Sequence, residues 1–568
     1  MLHRVFAYMG SALPILASLA TSVTDTTAGD AIRATGSNLS SATVKVGGTS
    51  AVVTSNTAGA VTCTAPALAT LAPKPACPSF DGVDDRLGSS FAISQLFGSG
   101  LSFVAVLDLS ESVVPTLSGS GIDYDAHVFC DAAAWFGLRL YRSGSVIKAG
   151  YRHYNGAPNE TPLVNVPGRV CILRGKWTGT EIFLALDNEP FGAGTLTGAP
   201  GTISNVLRVG TNWNQSTFFG FRLIELLFAP SALSDATFTD IVAYANQQHG
   251  LNLSGVAPSS FDPATLNLSG WWRAGGYSSA GTATFTGRAS AGASGGRDLT
   301  EATNKPAAST SPWPGVYPVV VTTSAGASNA LWVEYWSPRY VTGCDCYLDA
   351  RKGTTLSGTD VTQWADQGPH ALLFGSYGAP TLVPNVFGGL PAVRFTPQNA
   401  LLNAGGERLL PNGKGFFAVA KWTSAIATPS LPYTVPLSIV GDTSGAWTSF
   451  GASAGSIALV TWNGTGTLHY PTTGGSGLND GQARLIGATS DTAPNIRFYA
   501  GTTQLGSTVA LAGGYTANKY TSIGNTYTVS DGFDGDVGAI FVFDGPPTAA
   551  ERSKLNEWAR SGFPSVVT

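Results

Sequence analysis

Residues 347–395 read YLDARKGTTLSGTDVTQWADQGPHALLFGSYGAPTLVPNVFGGLPAVRF. Apolar runs of strand length (VTQWA, ALLF, PAVRF) alternate with turn chemistry: Leu-Ser-Gly, Asp-Gln-Gly-Pro, Ser-Tyr-Gly and Gly-Gly. Such alternation specifies a multi-stranded antiparallel sheet with tight turns. The whole chain has the same character. Its 568 residues imply several domains of roughly 100–200 residues each, with 70 Gly and 33 Pro to turn the strands. Hydrophobic residues make up 43% and charged residues only 12%, about half the usual charged share. With 13 Trp, 27 Phe and 18 Tyr, the chain has ample material for packed cores, so disorder is excluded and the expected class is all-β.

A net charge of −4 with no cluster of Lys and Arg argues against a nucleic-acid surface. No stretch is long and apolar enough to span a bilayer. Residues 1–20 have two readings. A basic start (Met1 to Arg4) and an apolar run ending Ala-Ser-Leu-Ala resemble a secretory signal peptide. Alternatively, Pro14 onward is already the first strand of a domain, the reading we prefer. Six Cys in a chain of this length do not make a disulfide scaffold. Cys130 and Cys171 fall in one domain and are a conceivable bridge. Cys344 and Cys346 are too close for an unstrained one. Buried thiols acting as small hydrophobes are the expectation.

The N-terminal segment up to residue 72 carries Gly29-Asp30, IRATGSNL (32–39), VKVGGTSAVV (44–53) and VTCTAP (61–66). In that order these resemble an IPT/TIG domain, a small immunoglobulin-like β-sandwich, which implies a spacer or interaction module without catalytic residues. A Pro-rich hinge, PKPACP (73–78), precedes SFDGVDDRLG and strands such as SFVAVLDL and EIFLALDNEPF. Residues 73–255 resemble a concanavalin A-like (LamG-type) jelly roll, two antiparallel sheets packed face to face. They end in a helix: Ser234 caps it, Phe238, Ile241, Val242 and Ala245 form its apolar stripe, and Gly250 stops it. The C-terminus repeats this ending. Strand VGAIFVF leads through Gly545-Pro546-Pro547 to a capping box, Thr548 with Glu551, and a stripe of Leu555, Trp558, Ala559 and Phe563. Two matching endings imply an internal repeat, so residues 343–568 form a second jelly roll. Its front carries Tyr347-Leu348-Asp349-Ala350, Val361-Thr362-Gln363-Trp364-Ala365-Asp366 and Gly389 to Phe395, a pattern similar to LamG-type families. Residues 256–342 are then a connector. Trp271-Trp272-Arg273-Ala274 stand there as a second copy of the Tyr347–Ala350 front, with no body behind them. Either this segment folds back to complete the first jelly roll, which we prefer, or it pairs with residues 315–340 (containing WVEYW) as a separate β-module.

Catalytic signals are weak. G-x-S-x-G occurs at Gly292–Gly296 and Gly451–Gly455, but neither lies between a buried strand and a helix as a nucleophile elbow requires. There is no run of alternating carboxylates of the glycosidase kind, and the six His show no metal-ligand spacing. Enzymatic activity is not expected. The jelly-roll resemblance implies a place for Ca2+ on loop carboxylates: Asp81, Asp84 and Asp85, or Asp531, Asp534 and Asp536 (DGFDGD), each set also readable as turn capping. Aromatic residues beside Asn at loop tips suit sugar stacking: Trp213 with Asn212, Trp462 with Asn463, and Tyr154 in RHYNGAP. The expected function is a non-enzymatic surface protein. One setting is a virion, as a capsid-decorating or fibre protein whose partners include capsid proteins and further copies of itself. The other is a secreted or cell-surface adhesin. In both, glycans are the ligands.

Overall fold

The computed structural model describes residues 13–19, 23–24, 29–110, 126–131, 136–143, 146–154, 158–195, 205–211, 218, 220–253, 255–257, 259–288, 297–368, 372–396, 399–403, 415–422, 434–441, 447–453, 456–462, 468–469, 481–490, 495–510, 518–524 and 533–567. The fold is all-β, as the composition implied, with two α-helices among the described residues, Asp235–His249 and Ala549–Gly562. The chain divides into two compact units, the second beginning at Ser337.

The first unit opens with an immunoglobulin-like sandwich. Ile15–Leu19, the stretch with two sequence readings, is a strand whose Ile15 lies opposite Ser37. One sheet continues through Ala31–Ser37 and Ala60–Thr64 to Thr49–Asn56, which bends at a bulge near Val53 and passes into the other sheet. That second sheet is not completed locally. Thr43–Val46 pairs with Gly315–Thr323, Val44 opposite Val321, and Gly315–Thr323 pairs with Leu331–Tyr335. The reason lies in the core. Leu16, Ile32, Val44, Val46 and Val61 have their apolar faces covered by Tyr317, Val319, Val321, Val333 and Tyr335, all buried. The first 72 residues hold only part of this core.

The second unit is a jelly roll whose front sheet runs, in spatial order, Thr503–Ala510, Asn495–Ala500, Ala483–Ser490, Gly415–Trp422, Gly535–Phe543, Ala392–Phe395 and Thr381–Val383. Cys344–Asp349 also pairs with Gly535–Phe543, Leu348 opposite Ile540. The back sheet runs Leu468–His469, Ser456–Trp462, Trp447–Ser453, Thr434–Gly441, Asn518–Ile523, Ala400–Asn403, Leu373–Tyr377, Asp360–Ala365 and Thr354–Ser357. The jelly roll of the first unit has the same spatial order in both sheets. Its front sheet runs Gly192–Thr195, Glu181–Leu186, Val170–Trp177, Leu101–Asp108, Gly220–Ala229, Cys77–Asp81 and Ala307–Ser309, with Gly270–Arg273 on Gly220–Ala229. Leu101–Asp108 is buried along its whole length. One face meets the back sheet through Phe103 and Leu107. The other, through Val104 and Val106, meets Phe238, Ile241 and Val242 of the helix.

The chain order differs. In the second jelly roll the front strand Cys344–Asp349 comes first and the helix last. In the first jelly roll the corresponding strands, Gly270–Arg273 to Ala307–Ser309, follow the helix. Trp271 lies opposite Leu227, as Tyr347 lies opposite Phe541. The first jelly roll is therefore a circular permutant of the second. Its opening falls where the second has the turn between Thr381–Val383 and Ala392–Phe395. At that opening Cys77 and Ser309 are strand partners, and both chain directions run from them into the Ig-like sandwich. The connector is thus shared: residues 268–309 complete the jelly roll, and residues 315–335 complete the sandwich. Short links suffice because the two exits lie side by side. The junction is packed: Trp313 Nε1 donates to the His249 carbonyl (3.0 Å), Val316 N to the Gly250 carbonyl (2.8 Å) and Asn252 Nδ2 to Glu334 Oε2 (2.6 Å). Gly250 ends the helix with φ 66°, in the left-handed region that favours glycine.

All six cysteines are free and buried. The conceivable Cys130–Cys171 bridge is not formed: the two lie in different sheets, and the Cys130 thiol donates instead to the Thr211 carbonyl (3.3 Å). Burial pushes the Cys63 thiol up to about 11 and Cys77 to about 12, far from the reactive thiolate range.

Candidate functional site

The recurring front-end residues are consumed by structure. Asp349, fully buried, accepts from Tyr347 Oη (2.8 Å) and from Arg351 N (2.9 Å), Nε (3.0 Å) and Nη2 (2.8 Å). Arg351 in turn lies 4.9 Å from the Trp558 ring and 4.8 Å from Phe563, and donates to the Gly562 carbonyl (3.3 Å). Trp364 Nε1 donates to the Asp349 carbonyl (3.1 Å) and Asp366 Oδ1 accepts from Tyr347 N and Gly368 N, each at 2.7 Å. These residues fasten the first strand to the closing helix. In the permuted jelly roll the acid sits on the other strand of the pair. Buried Glu225 accepts from Trp271 Nε1 (2.5 Å) and pairs with His249 Nε2 (2.7 Å), while Arg273 donates to Tyr244 Oη (2.7 Å). Both networks hold a front strand against a helix, and neither opens onto a surface.

Asp81, Asp84 and Asp85 are the one group of three candidate metal ligands among the described residues, with their oxygens within 4.8 Å of one another. The turn itself uses two of them. Asp81 Oδ1 accepts from Val83 N (2.8 Å) and Asp85 Oδ2 from Asp81 N (2.9 Å), around Gly82 at φ 80°. Burial, aided by the neighbouring Asp81 and Asp84, pushes the Asp85 carboxyl up to about 6. A hard cation suits such oxygens, and so does the Asx-type turn already formed. In the second acidic set, Asp531 lies outside the described residues. Asp536 is buried and committed to a bidentate pair with Arg394 (Nε–Oδ1 2.7 Å, Nη2–Oδ2 2.9 Å), which ties Ala392–Phe395 to Gly535–Phe543. Asp534 precedes that strand.

Of the proposed sugar contacts, Asn212, Trp213 and Asn463 lie outside the described residues. Tyr154 ends the strand Val146–Tyr154, with Pro158 as backbone partner. Trp462 ends Ser456–Trp462, and its partner across the strand is Trp447, fifteen positions earlier and invisible to a search for aromatic residues beside Asn. Of the two G-x-S-x-G matches, Ser294 lies outside the described residues. Ser453 ends a strand whose next neighbour is Ser456 in a hairpin, so no helix follows it. The back sheet of the second jelly roll also has an open outward face. Tyr377 is 51% and Leu373 48% exposed, beside exposed Gln363 and half-buried Gly375 and Leu402.

No family model and no characterised protein sequence matches the chain. Among solved structures it is similar to domain 4 of AbnA, a GH43 extracellular arabinanase from Geobacillus stearothermophilus, in complex with arabinotriose (12% identity, 38% of this chain and 99% of that one, TM-score 0.30). It is also similar to the Ruminococcus gnavus IT-sialidase CBM40 bound to α2,3 sialyllactose (12%, 26% and 84%, 0.23) and to the receptor-binding domain of botulinum neurotoxin type G (10%, 38% and 51%, 0.28). Among the described residues no helix is long and apolar enough to cross a membrane.

Proposed function

We propose that the chain is a non-enzymatic surface protein that binds glycans through its jelly rolls. The observation that carries this reading is the open back-sheet face of the second jelly roll. There Tyr377 and Leu373 stand half exposed beside Gln363, in a chain that buries Trp272, Trp364, Trp422 and Trp558 almost completely. Aromatic and apolar side chains kept in water next to an amide suit a ligand with both apolar C–H faces and hydroxyls. The buried carboxylates Asp349, Asp536 and Glu225 are engaged in structural pairs. The test is a glycan array probed with the whole chain, with and without Ca2+. Binding of at least one glycan class is expected, and binding that disappears with chelator would assign a metal role to the Asp81 turn. Silence on every glycan overturns the reading.

The proposed setting is a virion surface. Six unpaired, buried cysteines favour a chain folded in a reducing compartment, as a particle component assembled inside a cell would be, over a secreted adhesin that folds where disulfides form. Co-sedimentation of the chain with purified particles supports the virion; its recovery only from cell-surface fractions supports the adhesin.

A further inference from the structure

Gly375 lies inside a strand with no structural reason to be glycine. Packing demands glycine at other strand positions of the second jelly roll: a Cβ at Gly487 would run into the Phe417 ring, and one at Gly538 would stand 2.8 Å from Phe563. At Gly375 the nearest atom to such a Cβ is the Leu402 carbonyl oxygen, 4.0 Å away, which is ordinary contact. Its backbone is plain strand, in the middle of Leu373–Tyr377, with no positive φ to favour glycine. A glycine there weakens the strand and gives up side-chain packing, and it marks a place where a ligand or another backbone comes close.

The strand register shows what stands around this floor. Leu373 and Tyr377, both exposed, lie two residues to either side of Gly375, on the same face by the alternation of a strand. Exposed Gln363 and half-buried Leu402 are its partners on the two neighbouring strands. Phe374 and Leu401, one position away, are buried in the sandwich core, so the set faces outward. Exposed Thr355, opposite Gln363, extends its polar side. Between rim positions the dish measures about 13 Å along the strand and about 10 Å across it. With side chains occupying the margins, that is the footprint of one sugar ring.

We propose that this dish binds one neutral sugar residue above Gly375, its apolar face against Tyr377 and Leu373 and its hydroxyls toward the Gln363 amide. The inference rests on the glycan reading above and adds to it the floor, the size and the charge class of the ligand. An aromatic ring and an aliphatic side chain suit the C–H face of a sugar, and a neighbouring amide suits its hydroxyls. Floor and rim are uncharged throughout: Thr355, Gln363, Leu373, Gly375, Tyr377 and Leu402. An acidic sugar would lose water from its carboxylate here with no cation of the dish to meet it. A side chain at position 375 would occupy the space that the ring needs.

The test reads binding and stability together, because filling the floor should harm only the first. Calorimetry and saturation-transfer NMR on the whole chain use the methyl glycosides of galactose, mannose, N-acetylglucosamine and arabinose, with N-acetylneuraminic acid as the acidic comparison. At least one neutral glycoside should bind, and the acid should not. Gly375→Val should weaken that binding at least tenfold while the urea midpoint of the second jelly roll stays level or rises, since valine suits a strand. Tyr377→Ala should also cost at least tenfold and Gln363→Ala several-fold, while Trp332→Ala on the Ig-like sandwich leaves affinity unchanged. Should Gly375→Val lose its melting transition, Gly375→Ala replaces it, with a smaller loss of affinity expected. Affinity unchanged in the Gly375 variants overturns the dish. A response only to longer chains overturns the one-ring footprint. Glycan-array hits confined to acidic sugars overturn the neutral ligand and leave the glycan reading standing, whereas a silent array removes both. A wild-type dimer that Gly375→Val dissociates would assign the floor to a second copy of the chain and overturn the proposal.

Discussion

Two single residues carry sharp consequences. His153 is fully buried among Phe97, Phe136 and Trp177, with ring centroids 6.1, 5.9 and 5.4 Å away, and neither ring nitrogen has a partner. Burial lowers its pKa to about 4. The unfolded chain, with a histidine near 6.5, therefore binds the extra proton first. Stability is unaffected above pH 6.5 and is lost as the pH falls through the window down to about 4, by roughly 3 kcal/mol in all. His153→Phe should remove this component, so the difference in urea midpoint between wild type and variant should grow on going from pH 7 to pH 4. A constant difference would show that His153 titrates alike in the folded and unfolded states. Arg351 is the second case. Replacing it with Met takes the nearest counter-charge from buried Asp349, leaving Tyr347 Oη and the more distant Lys352 Nζ (3.9 Å), at a cost of at most about 3–5 kcal/mol, and removes the guanidinium from the Trp558 and Phe563 rings. Chemical denaturation should show the transition of the second jelly roll moving to lower urea, while that of the first unit stays in place.

At the scale of elements, the Ig-like sandwich depends on strands that arrive some 250 residues later in the chain. Tyr317, Val319, Val321, Val333 and Tyr335 are each almost fully buried, and each contributes about 1.5–3 kcal/mol to folding. Their sum is comparable to the whole net stability of a domain, about 5–15 kcal/mol. A fragment ending at residue 72 should therefore be unfolded by circular dichroism. The same fragment joined by a short Gly/Ser linker to residues 313–336, with the jelly roll removed, should show cooperative melting and protected amides. Strand content in the shorter fragment alone would contradict this account of the core. The expectation of an Ig-like segment was legible because Ile32, Val44, Val46 and Val61 alternate correctly along their strands. The donor of the missing strands was not, because WVEYW reads equally well as a strand of any neighbouring sheet.

For the molecule as a whole, the permuted jelly roll is the main architectural result. Its spatial order matches that of the second jelly roll, so moving the chain ends should preserve the fold. A chain beginning at Leu268, running to Ser309, joined there by a short turn to Cys77 and ending at Leu253 should fold by itself. Loop closure costs only about 0.6 kcal/mol for each doubling of loop length, a small amount against the core that is retained. A single cooperative transition with the far-ultraviolet spectrum of a β-sandwich is expected. Failure to fold would mean that the Ig-like sandwich, through Trp313 and Asn252, supplies more than a place of attachment.

The sequence by itself determined the class, the two helix-closed endings and the kinship of Trp271–Ala274 with Tyr347–Ala350. These signals are local: turn residues, alternation, caps and a short strand motif whose side chains pack on the nearest strand and helix. Only the tertiary structure decided what the motif is for: Asp349 and Asp366 turn their hydrogen bonds inward, onto Tyr347, Arg351 and Gly368. It also decided which sandwich each half of the connector joins, and that Trp462 and Trp447 are strand partners. Strand partners are chosen by burial of whole faces, summed over residues hundreds of positions apart, and no local pattern records that sum.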